Sequence, residues 1–185
     1  MPVTLPDDHP GAITAVILVR DETARLPACL ASLRGAVDRV EVMDTGSTDG
    51  TRELLARQAA DPAQEPPLRW SSRPLDDFSR ARAALHARVA TPWLLWIDAD
   101  ERLSPALAAE LARRRRERGP GGLDAHPLWC VPRRNHVLGR PMRARSLRAQ
   151  PVARVGRTRT VQLSGEPVHE GLVLRPAHRD AAVGR

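Results

Sequence analysis

The sequence predicts an α/β protein built on a mostly parallel, twisted sheet with flanking helices. Short apolar runs alternate with segments of helical periodicity up to about residue 116. This alternation is typical of parallel strands that are joined by helices. Beyond Pro120 the segments become short, β-leaning and split by Gly and Pro, which indicates a small β-rich C-terminal extension.

The predicted strands of the first half are short apolar segments that end at turn residues. They cover residues 12–19, 39–43, 68–71 and 93–97. The run at 12–19 is almost continuously apolar, as expected of a strand whose two faces are both buried. In the second half, residues 128–134, 151–157, 160–163 and 168–174 have β character.

Four helices are predicted between these strands. The first lies near residues 24–34 with Thr23 as its cap, the second carries Leu54 and Leu55, and the third covers 78–90. The fourth has Ser104 as N-cap and Pro105 at the first helical position. It ends in the arginine run 113–116, which we interpret as a solvated helix end.

Length and composition favour one domain in the cytoplasm. The chain has 185 residues, 42% of them hydrophobic, which suits a single core. We expect a flexible N-terminus at 1–11, the main domain at 12–175 and a tail at 176–185. No stretch has the apolar length of a membrane span, and the first ten residues lack a secretory signal.

The charge of the chain is uneven. The net charge is +7, and all 29 basic residues are arginine. Residues 101–185 hold 18 arginines and seven acidic residues, so this half could face a phosphate, an acidic acceptor or the anionic inner face of a membrane. We do not expect nucleic acid as a partner, because one Phe, four Trp and no Tyr provide few stacking surfaces. Two cysteines, Cys29 and Cys130, lie among apolar residues and are predicted to be buried, inert thiols.

Acidic turns follow two of the predicted strands. Asp44 ends the second strand, and Asp98 and Asp100 follow the fourth. Ligands of an open parallel sheet bind beyond the carboxyl ends of its strands. In extended backbone Asp98 and Asp100 would point the same way and offer two carboxylates to Mg²⁺ or Mn²⁺. The alternative is a pair of exposed turn acids, since a D-x-D triplet alone is a weak signal.

The order of the motifs resembles glycosyltransferase family 2, which has the GT-A fold. The closest branch contains lipopolysaccharide-core glucosyltransferases and related peptide or antibiotic glycosyltransferases. The resemblance covers about residues 12–174. It rests on the segments V16-I-L-V-R-D-E22, C29-L-A-S-L33, V42-M-D-T-G-S-T-D-G-T51, D77-F-S-R-A-R82, W93-L-L-W-I-D-A-D-E101, R154-V-G-R157 and V168-H-E-G171.

The resemblance implies a metal-dependent, inverting enzyme. It would move a sugar from a nucleoside diphosphate sugar to a hydroxyl of a glycan, lipid-linked or peptide acceptor, in cell-envelope glycan or glycolipid synthesis. The resemblance places Asp44 at the base or ribose, Asp98 at the ribose side and the metal, and Asp100 at the metal. Glu22 and Arg82 would join the nucleotide site.

The V168-H-E-G171 segment implies the general base. Glu170 would take the proton of the acceptor hydroxyl, and His169 would lie beside the metal or the diphosphate. Neighbouring side chains of a strand point to opposite faces, so we rank Glu170 above His169. Glu166 is the substitute base. The alternative for Glu170 is a surface acid that pairs with Arg154 or Arg157.

Two departures from the family pattern keep other functions open. The family usually has Asn at the positions of Asp21 and Ala83, and the loss of the amide at Ala83 would weaken donor binding. A degenerate copy of the fold that binds a nucleotide or a partner protein without turnover is therefore an alternative. A nucleotidyltransferase is a further one, by analogy of fold. The sugar, the nucleotide, the acceptor and the oligomeric state are not predicted.

Overall fold

The computed structural model describes residues 5–74, 77–137, 140–141, 151–164 and 171–184. These residues form four α-helices: α1 (Leu26–Ser32), α2 (Thr51–Ala60), α3 (Phe78–His86) and α4 (Pro105–Arg114). They also form eleven strands: β1 (Ile13–Val19), β2 (Arg39–Asp44), β3 (Leu68–Ser72), β4 (Trp93–Trp96), β5 (Leu128–Pro132), β6 (His136–Val137), β7 (Arg140–Pro141), β8 (Pro151–Arg157), β9 (Val161–Leu163), β10 (Leu172–Leu174) and β11 (Val183–Gly184). None of the helices in these described ranges has the length and apolar character that crossing a membrane requires.

Seven strands form one sheet in the order β11-β5-β8-β4-β1-β2-β3. The four strands β4, β1, β2 and β3 are parallel to one another, and β8 is antiparallel to both of its neighbours. The predicted mostly parallel sheet is therefore confirmed. Strands from the second half of the chain extend it on the β4 side, and β9 and β10 form a separate antiparallel hairpin.

The sheet is covered on both faces because the side chains of its central strand alternate. Ile13, Ala15 and Ile17 of β1 belong to a core that also includes residues of α1, α2 and α4. Val16 belongs to a second core on the other face, with residues of α3 and of the β9–β10 hairpin. Burial on both faces explains why β1 reads as an apolar run rather than as an alternating one.

The helix boundaries agree with the sequence at one cap and disagree at another. Ser104 accepts a hydrogen bond from the Leu107 N–H at 3.2 Å, and α4 begins at Pro105, as predicted. The predicted Thr23 cap is wrong, because α1 begins at Leu26 with no side-chain cap. The Thr23 hydroxyl instead donates to the Asp49 carbonyl at 2.9 Å, so it joins two loops. Helix α3 is also shorter than predicted and ends at His86.

The arginine run at the end of α4 is only partly solvated, which corrects the sequence interpretation. Arg115 has a fully buried side chain, and its Nη1 lies 2.9 Å from Oδ2 of Asp38, which is equally buried. The same Asp38 oxygen accepts a hydrogen bond from the Ile13 N–H. Arg115 therefore fixes the end of α4 to the start of β1 through a buried ion pair.

The two cysteines differ in burial. Cys29 is fully buried, and burial, with the carboxylates of Glu101 and Asp100 nearby, raises the pKa of its thiol to about 12. Its predicted inertness is consistent with this. Cys130 is only partly buried, so that prediction is wrong. The β5–β8 register shifts between Trp129 and Cys130, and such a shift breaks the regular alternation of inward and outward side chains.

Both terminal segments contact the sheet within the described residues. The Pro10 carbonyl accepts a hydrogen bond from the Trp93 indole N–H at 2.9 Å. Residues 176–185, which the sequence assigns to a tail, include β11, and β11 pairs with β5 in parallel.

Candidate active site

The candidate site lies where the strand order reverses. The chain places β2 on one side of β1 and β4 on the other. The carboxyl ends of these three strands therefore border one crevice, which is where open α/β sheets bind ligands. The acidic residues that the sequence singles out follow these ends: Glu22 after β1, Asp44 at the end of β2, and Asp98 and Asp100 after β4.

Asp44 organises the turn between β2 and α2. Its carboxylate is completely buried and accepts hydrogen bonds from the Ser47 N–H at 3.1 Å, the Gly46 N–H at 3.2 Å and the Ser72 hydroxyl at 3.1 Å. Arg52 Nε donates to it at 2.7 Å. Burial alone would raise the pKa of Asp44, but the hydrogen bonds from Ser47 and Arg52 hold it below its usual range. The contact with a base or ribose stays a prediction.

The loop after β1 is fastened to the same turn. Asp21 adopts the left-handed backbone region with φ of 55°, a conformation that Asp and Asn tolerate better than most residues. Its carboxylate accepts a hydrogen bond from the Thr48 N–H at 2.7 Å, while its own N–H donates to the Ser47 hydroxyl. The Glu22 N–H donates to the Thr51 hydroxyl at 2.9 Å. Asp21 can thus serve in place of the usual Asn, since both residues suit this backbone.

The residues after β4 form a turn rather than an extended segment. The Glu101 N–H donates to the Asp98 carbonyl at 2.9 Å, and the Asp98 N–H donates to Oε2 of Glu101 at 3.1 Å. The extended backbone that was expected to aim Asp98 and Asp100 in one direction is therefore wrong. The Cys29 thiol of α1 lies 3.6 Å from the Asp98 carbonyl, so the turn also contacts helix α1.

Two arginines meet the Asp98 carboxylate. Arg154 of β8 donates from Nη2 to Oδ2 at 3.0 Å and to Oε1 of Glu101 at 2.6 Å. Arg82 of α3 places Nη2 at 3.7 Å from Oδ1, with its guanidinium over the Trp96 ring at 5.4 Å from the centroid. The Arg82 side chain is therefore directed toward Asp98 and not toward solvent. The sequence did not single out Arg154 as a site residue, although the segment R154-V-G-R157 was a signal for it.

Asp100 carries a negative charge that no described residue neutralises, and Glu22 lies close enough to feel it. Asp100 is exposed, and no described residue forms an ion pair or hydrogen bond with its carboxylate. Glu22 is mostly buried and pairs with Arg25 at 3.3 Å. Burial raises the pKa of Glu22, and the negative charges of Asp100 and Asp49 add to this against the opposing effect of Arg25. The edge of the sheet is therefore a negative site that favours a cation.

The donor set suits a hard divalent cation. Asp98 and Asp100 offer carboxylate oxygens, and Mg²⁺ commonly uses one or two protein carboxylates together with water and substrate phosphates. Within the described ranges no group of three or more His, Cys, Asp or Glu residues is placed to hold a metal ion. Two carboxylates leave the remaining coordination positions of such a cation to water or to a substrate.

The predicted base lies outside the described residues, as do His169 and Glu166. The described residues on either side of them are joined, because the Ser164 N–H donates to the Gly171 carbonyl at 2.9 Å. The alternative pairs Glu170 with Arg154 or Arg157, but both arginines already have carboxylate partners. Arg154 contacts Asp98 and Glu101, and Arg157 pairs with Asp124 at 2.7 Å. The roles of Glu170 and His169 stay predictions.

Two cavities of the described residues lie away from these carboxylates. One of about 270 Å³ borders the amino ends of β1 and β2, with Thr14, Arg39 and Glu41 among its lining. The other, of about 450 Å³, lies between α3 and β9, with His86 and Gln162 in its lining. Neither includes an acidic residue predicted for the site.

Comparison with known proteins assigns the family. The model of glycosyl transferase family 2 matches residues 14–136. The lipopolysaccharide core biosynthesis glycosyltransferase LpsC of Rhizobium meliloti is 33% identical over 167 residues, which are 87% of this chain and 57% of LpsC.

Solved structures share the fold at low identity. TarS of S. aureus superposes with a TM-score of 0.58 at 14% identity over 80% of this chain and 47% of TarS, and one TarS structure contains UDP-GlcNAc. The mannosyltransferase PcManGT of Pyrobaculum calidifontis, solved with GDP-Man and Mn²⁺, has a TM-score of 0.52 at 20% identity over 65% of this chain and 35% of PcManGT. The chain spans only about half of the length of LpsC and TarS. With residues 14–136 matched by the family model, the chain belongs to glycosyl transferase family 2 and has the GT-A fold.

Proposed function

We propose that this chain is a metal-dependent, inverting glycosyltransferase that moves a sugar from a nucleoside diphosphate sugar to a hydroxyl acceptor. The observation that carries the proposal is that Glu22, Asp44, Asp98 and Asp100 lie at or after the carboxyl ends of three adjacent strands, at the point where the strand order reverses. These residues come from the ends of three different strands, and that edge of an open sheet is the usual place for a nucleotide.

Asp98 and Asp100 would hold the divalent cation in this proposal. A bound Mg²⁺ or Mn²⁺ would offset the negative charge that develops on the leaving diphosphate. Asp100 is the principal ligand because its carboxylate is exposed and has no competing cation among the described residues. The UDP-GlcNAc of one TarS structure and the GDP-Man and Mn²⁺ of PcManGT support a nucleotide sugar and a divalent cation as the molecules that bind here.

Arg82, Asp44 and Glu22 would shape the nucleotide side of the crevice. Arg82 orients Asp98 through its 3.7 Å contact and can reach a diphosphate near that carboxylate. Asp44 fixes the turn after β2, and Glu22 lies where the negative charge of Asp100 already acts on it.

Glu170 is the proposed general base, with His169 beside the metal or the diphosphate. The base takes the proton of the acceptor hydroxyl while the acceptor oxygen bonds to the anomeric carbon and the bond to the diphosphate breaks. Inversion follows when the acceptor attacks the face opposite to the leaving diphosphate. The likeness of the segment V168-H-E-G171 to the family motif supports this assignment.

We propose only the chemical class of the acceptor. The likeness to LpsC supports cell-envelope glycan or glycolipid synthesis, with a glycan, lipid-linked or peptide acceptor. We further propose a cytoplasmic protein whose arginine-rich second half contacts an anionic acceptor or the inner face of the membrane.

Donor-release assays test the proposed function. The protein is incubated with a panel of nucleotide sugars, beginning with UDP-GlcNAc and GDP-Man, with and without Mn²⁺, and the released nucleoside diphosphate is measured. Metal-dependent release from at least one donor is expected. Binding of a nucleotide with no release from any donor, with or without acceptor extracts, would favour the second candidate.

That second candidate is a GT-A domain that binds a nucleotide or a partner protein without turnover. The observation in its favour is the internal pairing of two site carboxylates, since Asp44 and Asp98 both face arginine side chains. Ala83, which lacks the amide common in the family, agrees with this alternative.

A further inference from the structure

Arg154 lies between two carboxylates at the carboxyl end of β4. Its Nη2 contacts Oδ2 of Asp98 at 3.0 Å and Oε1 of Glu101 at 2.6 Å. The residue is only 9% exposed, so its charge is largely removed from water. A buried guanidinium is costly without carboxylate partners, and these two contacts satisfy it.

Asp98 is consequently compensated on both of its oxygens. Arg154 faces Oδ2, and Arg82 faces Oδ1 from the other side at 3.7 Å. Asp100, two residues further along the same turn, has no such partner among the described residues. The two carboxylates of the D-x-D triplet therefore differ in their partners within the described part of the chain.

The backbone of Arg154 is held beside the turn that follows β4. It is carried by β8, which pairs with β4 in a register that joins Val155 to Leu95. Its guanidinium also bridges Asp98 to Glu101, whose other oxygen accepts the Asp98 N–H. The Arg154 guanidinium is thus part of the hydrogen-bonded turn that contains Asp98.

We propose that Arg154 is a positioning residue that competes with the divalent cation for Asp98. A cation that approaches the free protein meets one available carboxylate, Asp100, and one that two arginines already neutralise. A nucleoside diphosphate brings negative oxygens that give Arg154 and Arg82 other partners and free Asp98 for the metal. This inference rests on the proposed function and adds that metal and nucleotide bind with positive coupling, which is necessarily reciprocal.

The effect of Arg154 on metal affinity has a definite sign. Removal of a positive charge in contact with a ligand carboxylate strengthens cation binding, whereas general damage to the turn would weaken it. Asp98 is 41% exposed, so solvent screens much of the interaction. We expect Arg154→Met to bind Mn²⁺ about tenfold more tightly than the parent, allowing for that screening.

The test is a titration of the free protein with MnCl₂, in which free Mn²⁺ is measured by electron paramagnetic resonance. Arg157→Met is the matched control, because Arg157 is on the same strand and pairs with Asp124 at 2.7 Å, away from the site. The control should stay within about twofold of the parent, since its charge lies farther from the metal. Repeating the titration with UDP or GDP should show that the nucleotide enhances Mn²⁺ binding less in Arg154→Met than in the parent.

Arg154→Lys keeps the experiment decisive if the Met variant does not fold. The lysine ammonium keeps the positive charge but is more strongly hydrated and lies on a more flexible stem, so it should hold Asp98 less firmly, and about threefold tighter Mn²⁺ binding is expected. Thermal unfolding of each variant checks the fold. Unchanged or weaker Mn²⁺ binding by folded Arg154 variants would overturn this inference alone. A parent protein that binds neither Mn²⁺ nor a nucleotide would overturn the proposed function, and the inference with it.

Discussion

Replacement of Asp44 by Asn should destabilise the protein by about 1–4 kcal/mol, because the carboxylate is a buried acceptor with four partners. Its Oδ2 accepts hydrogen bonds from Gly46, Arg52 and Ser72, and its Oδ1 accepts one from the Ser47 N–H. An Asn side chain has one carbonyl oxygen, so its amide must face one of these donors. A buried N–H left without an acceptor costs about 1–3 kcal/mol. Loss of the charge opposite the half-exposed Arg52 adds up to about 1 kcal/mol.

The assay is urea unfolding at neutral pH, followed by the fluorescence of the four tryptophans. Asp61→Asn is the control, since Asp61 is an exposed carboxylate that accepts one hydrogen bond from the Ala63 N–H at 2.9 Å. The control should change the free energy of unfolding by less than about 0.5 kcal/mol. If Asp44→Asn unfolds as the parent does, the description of Asp44 as the organiser of its turn is refuted.

The same variant has a pH dependence of known sign. The pKa of Asp44 is lower in the folded protein than in the unfolded chain, where it is about 3.9. Its stabilising contribution is therefore complete above that value and is lost as the pH falls toward the folded pKa. Below about pH 4 the parent and Asp44→Asn should converge in stability.

Two further predictions concern the base and the buried ion pair. Glu170→Gln should keep donor binding while turnover falls by about 10²–10⁴-fold, the range that a general base supplies. If Glu170→Gln turns over normally and Glu166→Gln is inactive, Glu166 is the base instead. Arg115→Met should lower the free energy of unfolding by about 3–5 kcal/mol in urea, because it leaves Asp38 buried without its cation. A loss below about 1 kcal/mol would mean that the pair contributes little.

Local patterns in the sequence were sufficient for most of the fold. The apolar run of β1 and the Ser104–Pro105 start of α4 depend on neighbouring residues, and both were predicted. The alternation of strands and helices predicts parallel strands, whose carboxyl ends lie at one edge of the sheet, so the sequence is sufficient to assign Asp44 and Asp98 to that edge.

The parts that could not be predicted depend on long-range contacts. Arg154 and Asp98 are 56 positions apart, and only the pairing of β8 with β4 brings them together. Arg115 reads as one of four consecutive arginines, and nothing in that run distinguishes the one that reaches Asp38. The turn at Asp98 also depends on Glu101, whose carboxylate accepts the Asp98 N–H and so bends the backbone away from the extended form.

The central claim is that the turn after β4 holds a divalent cation together with a nucleoside diphosphate. The most direct test is the equilibrium binding of a nucleoside diphosphate to the parent, Asp100→Asn and Asp98→Asn, each with and without Mn²⁺. We expect Mn²⁺ to strengthen binding to the parent, Asp100→Asn to lose nearly all of this gain, and Asp98→Asn to lose part of it. If both variants bind nucleotide and Mn²⁺ as the parent does, the metal is not held by this turn and the account is wrong.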